Sequence, residues 1–83
     1  MHLQLLPLRK GIYQLSDFNI SPGNNYTIQN ISPNDSIYMI IFDENQRQLQ
    51  AINLSPKSIN YTLLPLQPDY RIVLIGNGEV TIA

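Results

Sequence analysis

Apolar residues in this chain gather in β-branched and aromatic runs of roughly five to nine residues set between turn signals, too short for globular helices. The pattern predicts strands near 2–7, 12–19, 25–31, 36–42, 47–54, 59–65, 70–75 and 79–83. Alternation is clean in Ile59-Asn60-Tyr61-Thr62-Leu63 and in Val80-Thr81-Ile82, so each should keep one wet face. Two segments break it. Ser36-Ile37-Tyr38-Met39-Ile40-Ile41-Phe42 and Tyr70-Arg71-Ile72-Val73-Leu74-Ile75 are apolar at both parities, which an antiparallel strand needs only if something covers its second face. If Ile37, Met39 and Ile41 enter the core, Tyr38, Ile40 and Phe42 face outward. With Tyr70, Ile72 and Leu74 also inward, Val73 and Ile75 extend the same outer surface.

Turn signals recur about every ten residues from Ser21 onward. Three are variants of one phrase: Asn19-Ile20-Ser21-Pro22, Asn30-Ile31-Ser32-Pro33 and Asn53-Leu54-Ser55-Pro56. In each, Ser suits the first position of a β-turn and Pro the second, where its fixed φ is already correct. Gly23 after Pro22 allows a type II turn, whereas Asn34 and Lys57 after their prolines fit type I. Asp43-Glu44-Asn45-Gln46 reads as a polar turn, and Gly76-Asn77-Gly78 contains the Asn-Gly hairpin signal.

Six prolines and nine asparagines oppose a helical reading, because Pro inside a helix costs about 3 kcal/mol and Asn is an indifferent helix former. The expected fold is all-β, an antiparallel two-layer β-sandwich of about seven or eight short strands, immunoglobulin-like or jelly-roll-like. A small barrel is the alternative. Short links favour antiparallel neighbours along the chain. The phrase Leu66-Gln67-Pro68-Asp69-Tyr70, followed by an apolar strand, is similar to a turn before a late strand in many immunoglobulin-like sandwich modules. That resemblance covers five residues and implies a sandwich rather than a barrel.

Eighty-three residues make a single domain, 1–83. A hydrophobic share of 43% against 13% charged residues points to a folded core rather than highly charged disorder. A net charge of -1 supplies no electrostatic footprint for nucleic acid or anionic lipid, so neither is expected as a partner. The chain has no cysteine, which excludes disulfides, thiol nucleophiles and Cys-based zinc sites. Its one histidine, His2, is a poor candidate for a catalytic base. The first ten residues carry their charges after the apolar stretch and no run is long enough for a membrane span. The expectation is a soluble chain, cytoplasmic by default.

No constellation for catalysis emerges. Asp17, Asp35, Asp43, Glu44, Asp69 and Glu79 fall mostly in or beside turns, where Asp bonds nearby backbone amides. Asp43-Glu44-Asn45 lacks the register and glycine of a calcium loop, and nothing in the spacing pairs two carboxylates for glycoside hydrolysis. There is no Gly-x-Ser-x-Gly, and Gly76-Asn77-Gly78 is too short to cradle phosphate. No catalytic activity, metal or cofactor is expected. Asn19, Asn25, Asn30, Asn34, Asn53 and Asn60 each begin an Asn-x-Ser/Thr triplet, which strand-end and turn chemistry explains without glycosylation.

Recognition is the remaining possibility. Of five tyrosines, Tyr61 and Tyr70 sit in phase with core positions, whereas Tyr38 points out opposite Met39. Small domains leave much of their apolar surface exposed unless subunits share the cover. Either the N-terminal segment with Leu3, Leu5, Leu6 and Leu8 folds over the outer surface, or a partner does, most simply another copy of the chain. The expected function is a non-catalytic, self-associating structural or protein-interaction module whose contact face is Tyr38, Ile40, Phe42, Val73 and Ile75. The alternative is a glycan-binding surface module using exposed tyrosines with nearby Asn and Gln.

Overall fold

The computed structural model describes residues 7–18 and 25–83. Seven strands run through them: β1 (Gly11–Gln14), β2 (Thr27–Asn30), β3 (Ile37–Phe42), β4 (Gln48–Leu54), β5 (Tyr61–Thr62), β6 (Arg71–Gly76) and β7 (Val80–Ile82). They form two antiparallel sheets, a four-stranded one in the order β1-β6-β3-β4 and a three-stranded one in the order β5-β2-β7. Two separate sheets exclude the barrel. The protein is an all-β sandwich.

Parity sets which face is dry. Ile37, Met39 and Ile41 of β3 and Ile72 and Leu74 of β6 are buried, and Leu54 joins them from β4. Ile28, Val80 and Ile82 oppose them from the three-stranded sheet. Leu15, Leu63 and Leu66 close the sides of this core from the connecting segments, with Tyr70 packed against it.

Strand order explains why local sequence misleads about the links. Only β3 and β4 are neighbours both in sequence and in a sheet; the other five of six links pass between sheets. The expected run of antiparallel neighbours is therefore corrected. Gly76-Asn77-Gly78 is not a hairpin either: it carries the chain from β6 in one sheet to β7 in the other. Pairing of the second strand with the fifth and the third with the sixth matches the immunoglobulin order. The terminal strands have changed places, however, with β7 beside β2 and β1 beside β6.

Three predicted strands are shortened or displaced. The one near 2–7 lies almost wholly outside the described residues; Leu8 makes a single bridge to Val80. The one near 12–19 becomes β1 followed by a 3₁₀ turn at Leu15–Phe18, because consecutive polar Ser16 and Asp17 end the alternation. That turn brings the Phe18 ring to 5.8 Å from Tyr13. The one near 59–65 shrinks to the two residues of β5, which pair only with Thr27 and Ile28. Ile59 is 70% exposed and Tyr61 is exposed rather than core, since the chain leaves the sheet to bury Leu63 and Leu66.

The turn after Pro56 also differs from expectation. Lys57 has φ 53°, the left-handed value that type II places after proline, not type I. Its amide donates to Ser32 O at 3.0 Å and the next amide, Ser58 N, to Asn30 O at 3.1 Å. These bonds clip the end of the Asn53-Leu54-Ser55-Pro56 phrase onto Asn30-Ile31-Ser32-Pro33 and hold the turn in that conformation.

Candidate functional site

The outer face of the four-stranded sheet is where the sequence places exposed apolar residues, and the register shows how they meet. Ile12 lies opposite Val73, Val73 opposite Ile40, and Ile40 opposite Ala51, so one apolar row crosses all four strands. Beside it, Tyr38 lies between Ile75 and Asn53. On the other side, Phe42 lies between Arg71 and Gln48, with Gln14 beyond Arg71. All five sequence-derived residues, Tyr38, Ile40, Phe42, Val73 and Ile75, thus share one face.

Exposure grades across it. Ile12 is 74% and Ile75 53% exposed, whereas Ile40, Phe42 and Val73 are half-buried by their neighbours. Arg71 is the one charged residue among these strand positions, and it has no ion pair among the described residues. Ile12 escapes the sequence reading because its exposure matters only once β1 is known to lie beside β6. Its parity, opposite inward-leaning Tyr13, is the signal that was present.

At one end of the face lies a groove of about 300 Å³ lined by Ile12, Phe42, Asp43, Gln46, Arg71 and Val73. The β3–β4 turn builds its wall. Asp43 Oδ1 accepts from the amides of Asn45 and Arg47, both at 2.8 Å, while Gln46 N donates to Asp43 O at 3.1 Å. This is a three-residue hairpin loop in which Gln46 takes φ 64°. One Asp43 oxygen is thus spent on the turn, leaving the guanidinium of Arg71, the Gln46 amide and the Phe42 ring as the distinctive chemistry of the groove.

Other candidates fall elsewhere. Leu8 is buried against β7 rather than laid over the outer face, and Leu3, Leu5 and Leu6 lie outside the described residues. Glu79 pairs with Arg9 at 2.6 Å. No group of three or more His, Asp or Glu side chains converges among the described residues. Of the Asn-x-Ser/Thr triplets, Asn19 is outside the described residues, while Asn25, Asn34, Asn53 and Asn60 are exposed. Asn30 is fully buried, with Nδ2 donating to Asp35 O and Leu54 O and Oδ1 accepting from Ser32 N. In the folded chain its amide is closed off from solvent.

Comparison with protein-family models, curated proteins and solved structures yields no match.

Proposed function

We propose that this chain is a non-catalytic, self-associating β-sandwich, a structural or protein-interaction module whose contact is the outer face of β1-β6-β3-β4. The observation that carries the reading is the apolar row Ile12–Val73–Ile40–Ala51, which crosses the sheet without a polar interruption. A sheet with one side in water normally alternates, and here the wet side carries an apolar row between polar flanks.

A second copy is the fitting partner because the face carries little charge and can meet itself about a twofold axis. Four strands spaced about 4.8 Å and six residues rising about 3.3 Å each give a footprint of roughly 400 Å². Two copies together bury about 800 Å², below the roughly 1,200–2,000 Å² of stable interfaces, so the association is of the weak, transient class.

Sedimentation velocity over about 1–500 μM should show a concentration-dependent dimer with a micromolar dissociation constant. Phe42→Glu should weaken it at least about 10-fold by replacing the apolar ring with a carboxylate that, even beside Arg71 on the next strand, must lose water on contact, while circular dichroism stays that of the folded chain. A folded Phe42→Glu chain that assembles like the wild type would sink the reading.

The groove supports a second reading, a glycan-binding module, because an aromatic ring flanked by Gln46, Asp43 and Arg71 suits a sugar's apolar face and hydroxyls. A glycan array on which binding disappears with Phe42→Ala would favour it.

A further inference from the structure

Natural sheets blunt their edges, and three of the four edges here are blunted. β5 has only two residues and β1 only four, while β7 is capped by Leu8, whose amide and carbonyl both bond Val80. β4 is different. It is the longest strand, seven residues, with no charged residue and no proline. A bulge disturbs it only at the Gln48–Leu49 end; from Gln50 to Leu54 its register with β3 is unbroken.

The direction of its free groups follows from one bond. Leu15 N donates to Tyr70 O, just before β6, so residues 72 and 74 of β6 also bond toward β1. Alternation turns 71, 73 and 75 toward β3, hence 38, 40 and 42 of β3 toward β6 and 37, 39 and 41 toward β4. In β4 the partners of those residues are Gln50, Ile52 and Leu54. The amides and carbonyls of Ala51 and Asn53 therefore point away from the sheet, and neither has a backbone partner among the described residues. The neighbouring segment does not take them: Gln50 reaches it with its side chain, Oε1 accepting from Leu64 N and Nε2 donating to Thr62 O.

We propose that the β4 edge pairs antiparallel with the β4 edge of a second copy, centred on Ile52 opposite Ile52 of that copy. Ala51 then lies opposite Asn53 of the other copy and Asn53 opposite its Ala51, forming two hydrogen-bonded pairs and one eight-stranded sheet. The strand fits itself for three reasons. Its two outward residues are spaced to exchange bonds about a twofold axis, no like charges meet, and small Ala51 leaves room for the Asn53 side chain on the outer face. Half-buried Ile52 gains cover on the inner face. This pairing uses backbone, not the outer-face side chains, and stands apart from the reading above.

The chain has no cysteine, so introduced thiols report on it alone. A mixture of Ala51→Cys and Asn53→Cys chains, oxidised, should give a cross-linked heterodimer well above the dimer formed by either chain alone. Hydrogen-bonded antiparallel pairs hold Cα atoms about 5.5 Å apart, inside the roughly 4.4–6.8 Å a disulfide spans. Asn53→Pro removes only an outward amide, which an edge strand tolerates, and should weaken edge pairing at least about 10-fold in a folded chain. A mixture that cross-links no better than its components, or a folded Asn53→Pro chain that associates like the wild type, overturns the proposal. If Asn53→Pro fails to fold, the cross-link alone decides. Phe42→Glu separates the two contacts: heterodimer cross-linking that persists in its presence, with association unchanged, removes the outer-face reading and keeps this one.

Discussion

Asn30 serves three backbone partners with one fully buried side chain, joining the end of β2 to Asp35, Leu54 and Ser32. A carboxylate of the same shape cannot donate to two carbonyls. Asn30→Asp should therefore cost about 3 kcal/mol at neutral pH. Burial beside the Asp35 and Leu54 carbonyls favours the protonated acid, raising its folded-state pKa above the unfolded value near 3.9. The raised value means that the stability lent by the neutral acid is present below about pH 4 and lost as pH rises through the folded pKa. Urea unfolding of the variant and the wild type at acid and neutral pH should show the gap between them narrowing on the acid side. Equal gaps at both would mean that the site admits water. None of this was readable in the sequence, because Asn30 and Asn53 head the same Asn-apolar-Ser-Pro phrase, yet one is buried and the other exposed. What separates them is tertiary: the second phrase folds onto the first and covers it.

Elements were legible where parity decides and obscure where packing does. The strands at β3 and β6, with their inward and outward residues, follow from hydrophobic pattern alone, because a one-residue slip would turn every side chain over. Their adjacency was conditional in the sequence and is a fact of the ladder. The β6–β7 corner was obscure, because Asn-Gly looks the same in a hairpin and in a link between sheets. Its glycines are there for proximity. A Cβ at Gly76, where φ is 128°, would come 2.6 Å from Ser36 O, and one at Gly78 would come 2.8 Å from Ser32 Oγ. Gly76→Ala should cost about 2–3 kcal/mol through strain and overpacking. Calorimetry should then show Tm lower by roughly 10–20 °C in a chain of this size. A loss under about 0.5 kcal/mol would mean the corner yields without strain.

At the scale of the whole molecule, a Cα radius of gyration of 11.8 Å shows the two sheets closely packed, near the roughly 12 Å expected for a compact chain of this length. The outer-face residues were half legible for this reason: the face needs four strands side by side, and strand order is not written in any local run. Ile12 joins Val73 across 61 positions, which no periodicity can announce.

That β3–β4 is the one hairpin among the described residues bears on how the molecule comes together. Every other link leaves one layer for the other, so the chain must bring distant segments into contact, and sandwiches of this kind fold in milliseconds to seconds. Hairpins close in about 1–10 μs, which makes β3–β4 the natural seed. Its loop carries a handicap, since Gln46 holds a left-handed conformation that glycine adopts freely. Gln46→Gly should add about 1 kcal/mol and, if this loop closes before the rate-limiting step, accelerate refolding several-fold with the unfolding limb almost unmoved. Stopped-flow chevrons report both limbs, and a gain found only in slower unfolding would place the nucleus elsewhere. Speed of assembly then depends on the five residues Asp43 to Arg47, far from the buried centre.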